Sequence, residues 1–287
     1  MTVSVEFGLI LALFTAFGSV AGFLYKFRGA REAPAVDLRR PLQSSIALFR
    51  SPLYTLGIGI ALGSWGLHVA ALALAPISLV QSVIAGGLVL LTVVADRLFG
   101  IEVTRREWTG VVLTAAGLAF LAATLSGDGN AAHSRYDPLT LAVFLGVLSA
   151  VGLALALRPR QPALLAVSAG LLWAASDTSI KALSSHLGRL GVGVVVHPLA
   201  AVILVASLIG LLVSARSLQL GAAVAMIALT SAAANLTTIA AGPIVFGEPL
   251  PASQLGLVVR LLAFGCVIVA AAMTPPPAAD PAARIYN

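Results

Sequence analysis

The sequence has 287 residues, of which 59% are apolar and only 10% are charged, and its formal net charge is +6. A water-soluble domain carries about 25% charged residues because its surface must be solvated, so this composition excludes a single soluble core. Uncharged runs of about 20 residues, the length that crosses a bilayer, recur along the chain. The run 52–95 alone would form a helix of roughly 66 Å, so it must fold back once.

Nine membrane-spanning helices are predicted, so the fold class is an all-α polytopic membrane protein. Pro76 separates the second span from the third, and Gly242-Pro243 is expected to end the eighth, because proline starts a helix better than it continues one. Residues 37–51 are interpreted as an amphipathic surface segment, since a tenth span there would move four arginines outside. The predicted spans are Val3–Phe27, Pro52–Leu74, Ile77–Phe99, Arg105–Leu125, Pro138–Leu157, Ala163–Ser185, Leu190–Ser214, Gln219–Ala241 and Ala252–Met273.

The basic residues of the short loops predict the orientation. Arginines are frequent in the first, third, fifth and seventh interhelical loops, whereas the alternate loops hold only Arg135 and Arg189. Because loops rich in Lys and Arg stay in the cytoplasm, the N-terminus is expected outside and the C-terminus in the cytoplasm. The 15 arginines against 2 lysines favour a GC-rich bacterial genome. We therefore expect a multi-pass protein of a bacterial inner membrane.

Two stretches of the chain look like copies of one another. Phe99–Glu102 after the third span is matched by Phe246–Glu248 after the eighth, and Lys26 near the end of the first span is matched by Lys181 near the end of the sixth. Five spans separate each matched pair, so the copies have opposite orientations. Inverted repeats are typical of alternating-access transporters, whose binding site lies at the repeat interface. The predicted division is a first repeat at 1–127, a linker span at 128–162, a second repeat at 163–273 and a disordered cytoplasmic tail at 274–287.

Both halves of the sequence contain motifs of small residues, proline and single charged residues. The second half has Gly170–Asp177 with Lys181, Ala232–Asn235 and Phe246–Pro249, and the first half has Gly63–Gly66, Ala73–Gln81 and Trp108–Gly110. On these motifs the second half resembles an EamA-type repeat of the drug/metabolite transporter superfamily, and the first half is similar to the NIPA-type magnesium-transporter branch. The resemblance implies a secondary carrier with a central cavity, but it does not indicate which substrate is carried.

Three charged residues fall deep inside predicted spans, where an ionisable group is costly and functional by default. Trp173, Asp177 and Lys181 recur every four residues on the sixth span, so they share one helix face, and Asp177 is expected to pair with Lys181. That face is either a substrate or proton-coupling site or a structural ion pair. Arg260, in the ninth span, either binds an anionic group or neutralises Asp177 or a cluster of backbone carbonyls.

Further polar residues predict a polar lumen between the spans. Trp65 and His68 lie three residues apart on the second span, and Gln81 and Asn235 lie on the third and eighth; hydrogen bonding between packed helices is the alternative for each alone. Glu248 is assigned a coupling or gating role with Asp177. Gly59 and Gly63 are expected to allow close helix approach. The predicted substrate-binding residues are Trp65, His68, Gln81, Trp173, Asp177, Lys181, Asn235 and Arg260.

The resulting functional hypothesis is a secondary transporter of a small anionic or zwitterionic metabolite, with proton-coupled export as one mode. A magnesium or other divalent-cation transporter is the first alternative, but magnesium prefers oxygen ligands, and Lys181 and Arg260 would repel it. A flippase for a lipid-linked substrate is the second. No enzymatic activity, cofactor, metal site or nucleic-acid partner is predicted. The expected partners are a small-molecule substrate and membrane lipids, and the oligomeric state, including a dimer, is left open.

Overall fold

The computed structural model describes residues 3–77, 79–81, 83–84, 93–94, 97, 104–123, 135–158, 160–248, 254–259, 262–263 and 265. Every regular element in these residues is helical, and six helices (α1, α3, α5, α6, α8 and α9) are long and apolar enough to cross a membrane. The chain is therefore a multi-pass helical membrane protein. The helices are α1 (Val3–Glu32), α2 (Pro41–Phe49), α3 (Pro52–Leu74), α4 (Arg105–Ala123), α5 (Pro138–Ala156), α6 (Pro162–Ser184), α7 (Leu187–Leu190), α8 (Pro198–Leu220) and α9 (Ala223–Val245), with a 3₁₀ turn at Gly191–Val196.

Several helix starts follow directly from proline, whose fixed φ suits the first helical turn. Helices α2, α3, α5, α6 and α8 all begin at a proline. A side chain caps three of them: Ser51 Oγ accepts from the N–H of Tyr54 at 3.4 Å, Asp137 caps α5, and the His197 ring nitrogen Nδ1 accepts from Leu199 at 3.2 Å. Most of the predicted span starts therefore agree with the observed helices.

Five predicted boundaries need correction. The first span was expected to end at Phe27, whereas α1 continues to Glu32, and the seventh was expected to end at Ser214, whereas α8 continues to Leu220. The seventh span was expected from Leu190, but α8 begins at Pro198, because the 3₁₀ turn and the His197 cap precede it. The eighth begins at Ala223 rather than at Gln219, and Pro243 lies inside α9, which continues to Val245. Segment 37–51 contains the nine-residue helix α2, which is too short to span. More than half of the third and ninth predicted spans lies outside the described residues, as do all of the 128–134 part of the linker and the 274–287 tail.

Helices α1 and α3 form a closely packed antiparallel pair. A Cβ on Gly8, near the start of α1, would lie 3.1 Å from Leu74 at the end of α3, whereas Gly29, near the end of α1, lies against Tyr54 at the start of α3. One turn from that Gly29 contact, a Cβ on Gly57 would lie 2.7 Å from the backbone nitrogen of Lys26. The predicted close approach at Gly59 and Gly63 is wrong for the described residues, because none of them lies within 4 Å of a Cβ at either position.

The second half contains a similar antiparallel pair, α6 and α8, and α9 packs on α6 in the parallel direction. Ser176 on α6 lies beside Ser207 on α8, with 3.0 Å between their hydroxyl oxygens, and a Cβ on Gly170 would lie 2.5 Å from the carbonyl oxygen of Thr230 on α9. Helix α5 packs along α6, where Ser168 Oγ donates to the carbonyl of Gly152 at 2.6 Å. Small residues thus let these helices approach closely without polar groups reaching lipid.

These directions give the bundle two chemically different ends. We call one the arginine-rich end; there α1 and α8 finish and α3, α6 and α9 begin. Gln219 lies near the end of α8 and joins that helix to the end of α1 and to the chain that follows it. Its Nε2 donates to the carbonyls of Ala30 and Pro34 at 3.0 Å each, and its Oε1 accepts from the N–H of Val36 at 2.8 Å. The opposite end carries Arg135 and Arg189. The arginine-rich end is defined by Arg28, Arg31, Arg39, Arg40, Arg50, Arg158, Arg160 and Arg216.

Candidate functional site

A cavity of about 1000 Å³ lies among α1, α3, α6, α8 and α9 and reaches the segment at 81–84. Most of its lining side chains are apolar, but a limited set of polar groups faces into it. In the described lining, Asp177 is the one carboxylate and Lys26 the one ammonium. The structure brings six of the eight predicted substrate-binding residues to this cavity: Trp65, His68, Gln81, Trp173, Asp177 and Asn235.

Asp177 is the centre of a polar cluster contributed by three different segments. Its Oδ2 accepts a hydrogen bond from Gln81 Nε2 at 3.0 Å, and its Oδ1 lies 3.1 Å from His68 Nε2. Helix α6 supplies the carboxylate, α3 the imidazole, and the chain after Pro76 the amide. A carboxylate, an imidazole and an amide at the wall of a membrane cavity can hold, accept or release a proton.

The imidazole of His68 has unused hydrogen-bonding capacity. His68 is only 7% exposed. Within the described part of the chain, neither nitrogen of its ring makes a well-aligned hydrogen bond. The 3.1 Å approach of Nε2 to Asp177 is therefore an electrostatic contact, since the ring N–H does not point along it. Buried polar groups are normally hydrogen-bonded, so this ring is positioned for a proton, a water molecule or a ligand.

Lys26 and two aromatic rings form a second cluster on the cavity wall, which we call the aromatic–lysine cluster (Phe23, Lys26 and Trp173). The Lys26 Nζ lies 4.1 Å from the ring centroid of Phe23 and 5.5 Å from that of Trp173, and the two rings are 5.4 Å apart. Such geometry is a cation–π interaction. Lys26 is absent from the predicted substrate-binding residues, although its match with Lys181 is a signal that could have identified it.

Lys181 does not pair with Asp177, so the expected ion pair is wrong. Its side chain is fully buried, and its Nζ donates to the carbonyl oxygens of Leu72 at 2.8 Å and Ala75 at 2.7 Å. Four residues turn a helix by about 400°, and this 40° drift is enough to direct Lys181 to the end of α3 instead of into the cavity. The lysine neutralises carbonyls that the end of α3 leaves unpaired.

Glu248 lies beside this lysine and not on the cavity wall. Its Oε1 accepts from the backbone N–H of Ile77 at 2.8 Å, and its carboxylate lies where a Cβ on Gly242 would be, so a glycine is needed there. Glu248 also interacts electrostatically with Lys181. Arg260 lies outside the described residues, so its predicted role stays a prediction.

Comparison with known proteins gives no match to a family model, to a curated protein or to a solved structure. The class of protein therefore follows from the fold and the cavity alone. It is a multi-pass helical membrane protein whose apolar cavity holds a carboxylate–imidazole–amide cluster and a buried ammonium. The arrangement has the elements required to bind an organic solute of mixed polarity, since ligand cavities are mostly apolar with a few fixed polar groups.

Proposed function

We propose that this protein is a secondary transporter that moves a small anionic or zwitterionic organic solute across a bacterial cytoplasmic membrane by alternating access. The observation that carries the proposal is the cavity of about 1000 Å³ among the membrane helices, with Asp177, His68 and Gln81 on its wall. Ionisable residues inside a membrane protein are rare, and they mark substrate and ion pathways. A cavity of this volume accommodates a metabolite-sized solute.

Asp177 and His68 supply the coupling chemistry of this proposal. A carboxylate oxygen 3.1 Å from an imidazole nitrogen is close enough to share one proton once the ring turns its N–H toward the carboxylate. The amide of Gln81 holds the carboxylate by its other oxygen, so protonation changes the hydrogen bonding at the cavity wall. Binding of a proton and binding of solute at that wall are thereby linked.

The orientation in the proposal has the N-terminus outside and the C-terminus in the cytoplasm, with nine spans in two inverted repeats. Its support is the arginine-rich end, because an excess of arginine marks the cytoplasmic side. The antiparallel pair α1 and α3 corresponds in this scheme to α6 and α8, with α5 as the linker span. The resemblance to EamA-type and NIPA-type transporters belongs to the same proposal.

The magnesium alternative makes a different demand on the cavity. Magnesium requires several oxygen ligands in octahedral geometry, whereas the described lining offers the carboxylate of Asp177 together with the ammonium of Lys26. A cation would be repelled by that ammonium, while an organic anion or zwitterion uses both groups. The organic solute is therefore the favoured cargo.

The test measures proton movement in proteoliposomes that contain purified protein and a pH-sensitive dye. Amino acids, organic monocarboxylates and magnesium chloride are added in turn, with an imposed pH gradient. We expect solute-dependent proton flux from one organic class, loss of that flux in Asp177→Asn, and normal flux in Glu6→Gln, a matched carboxylate outside the cavity. Magnesium uptake that Asp177→Asn abolishes, with no organic flux, would overturn the proposal.

A further inference from the structure

Lys26 places a positive charge where the described part of the chain offers it no negative partner. The residue is 6% exposed and lines the cavity, and among the described residues neither a hydrogen-bond acceptor nor a carboxylate contacts its Nζ. The groups that approach the ammonium there are the ring faces of Phe23 and Trp173. A buried charge without a charged or hydrogen-bonded partner is costly, and cation–π contacts offset only part of that cost.

The matched lysine of the second half shows what a structural role looks like in this protein. Lys181 directs its ammonium to two carbonyl oxygens within 2.8 Å, and Glu248 lies close by. Lys26 occupies the corresponding place in the first half and has no such acceptors among the described residues. Packing of α3 accounts for this difference in part, because the backbone at Gly57 leaves room for the lysine stem: a Cβ there would lie 2.9 Å from Lys26 Cγ.

We propose that Lys26 is the anion-binding residue of the cavity, and that its ligand is an organic carboxylate with an apolar or aromatic body. The carboxylate accepts hydrogen bonds from Nζ, and the body packs on Phe23 and Trp173, whose rings contact each other in a tilted arrangement with centroids 5.4 Å apart. This inference rests on the proposed transport function, because it assigns the class of cargo to the same cavity.

The same geometry limits the length and polarity of the ligand. Asp177 follows Trp173 by one turn of α6. The polar cluster around Asp177 therefore lies about 6 Å further along the helix axis than the aromatic–lysine cluster. A ligand whose carboxylate lies on Lys26 therefore presents its opposite end to Asp177 and Gln81. A hydrogen-bond donor or a positive group at that end is favoured, and a second carboxylate there is disfavoured.

The first experiment compares charged and neutral versions of the same molecules on the purified full-length protein. The probes are aromatic and medium-chain aliphatic monocarboxylates, each paired with its primary amide. Thermal denaturation reports binding, because a ligand of the folded state raises Tm with concentration. We expect carboxylates to bind at least tenfold more tightly than their amides, and Lys26→Gln to abolish this preference. Equal affinity for carboxylate and amide in the wild type overturns the inference.

Matched variants keep the interpretation specific. Lys26→Arg preserves the charge and is expected to retain the carboxylate preference, whereas Arg39→Gln removes an exposed charge from the arginine-rich end and is expected to change nothing. Neither Lys26 variant removes a structural hydrogen bond of the described chain, so both are expected to fold. If Lys26→Gln keeps the full preference, Lys26 is not the anion-binding residue.

Flux separates this inference from the function on which it rests. If carboxylates bind through Lys26 but proteoliposomes show no solute-dependent proton movement, the transport function fails and the anion site stands. If transport occurs and depends on Asp177, but Lys26→Gln leaves cargo selectivity and affinity unchanged, the transport function stands and the anion site fails.

Discussion

Lys181 and Glu248 bind the backbone on the two sides of the turn that follows α3. Lys181 donates to carbonyls at the end of α3, while Glu248 accepts from the N–H of Ile77, just beyond Pro76. The positive side chain thus faces a helix C-terminus, where carbonyls are unpaired, and the negative one faces the start of the next helical segment, where N–H groups are unpaired. Both residues come from the second half of the chain and both partners come from the first.

Removing the Lys181 ammonium is expected to destabilise the protein strongly. Lys181→Met leaves the buried carbonyls of Leu72 and Ala75 without a donor, at a cost of about 3 kcal/mol in the free energy of unfolding. The matched change Lys26→Met removes a charge that has no acceptor in the described chain, and it is expected to leave stability unchanged or raise it. Thermal denaturation of both variants checks this; equal losses of Tm would contradict the assignment of the two lysines.

Glu248 is expected to respond differently to loss of charge and loss of its acceptor. Glu248→Gln keeps an oxygen for the N–H of Ile77 and loses the charge that attracts Lys181, whereas Glu248→Ala also leaves that N–H unpaired, which costs about 1–3 kcal/mol more. In a double-mutant cycle, Lys181→Met and Glu248→Gln together are expected to cost less than the sum of the two single changes. Strict additivity of the measured unfolding free energies would show that the two charges are not coupled.

Gly57 and Gly59 lie about half a helical turn apart on α3, and they test its packing on α1. Gly57→Ala puts a methyl group 2.7 Å from the backbone nitrogen of Lys26 and 2.9 Å from the carbonyl oxygen of Gly22. Overpacking of this kind costs about 1–3 kcal/mol in the free energy of unfolding. Gly59→Ala meets nothing within 4 Å and is expected to be neutral or to stabilise the helix by up to about 1 kcal/mol. Tm measurements on the two variants should differ in sign, and a larger loss for Gly59→Ala would contradict the packing described.

Asp137 gives a pH dependence outside the membrane-spanning segments. Its carboxylate caps α5, and hydrogen bonds from the backbone and side chain of Thr140 lower its pKa below the ordinary value of 3.8. A lowered folded-state pKa means that the cap contributes stability above the ordinary carboxyl range and loses it as the pH falls through the folded value. Asp137→Ala is therefore expected to lower Tm slightly at neutral pH and to match the wild type in strong acid. A difference in Tm that does not change with pH would show that the charge contributes nothing.

The sequence predicts the membrane class and most helix starts, because both depend on local composition. The limits of α3 agree with the prediction at both ends, since Pro52 and Pro76 mark them. Six predicted site residues reach one cavity because helical spacing places polar side chains on shared faces. These parts of the fold need no knowledge of how distant helices pack.

The two lysines show where the prediction stops. In the sequence Lys26 and Lys181 are equivalent matches near the ends of corresponding spans. Their different roles depend on which groups lie opposite each ammonium. The end of α3 presents carbonyl oxygens to Lys181, whereas Trp173 presents a ring face to Lys26. Such contacts join residues more than a hundred positions apart, and helical periodicity carries no information about them. Pro243 is a similar case, because a proline near a helix end does not decide alone where the helix stops.

The hydrogen bonds of Gln219 join the two halves of the chain at the arginine-rich end. Its three amide bonds to Ala30, Pro34 and Val36 are neutral and are worth about 1 kcal/mol net each, and Arg31 Nη2 adds a bond to the carbonyl of Gly221 at 3.2 Å. At the opposite end the halves are joined through the buried charges of Lys181 and Glu248. The alternating access proposed above requires the halves to separate at one end at a time, so we expect a cross-link between the chain near Gln219 and the chain near Val36 to abolish transport.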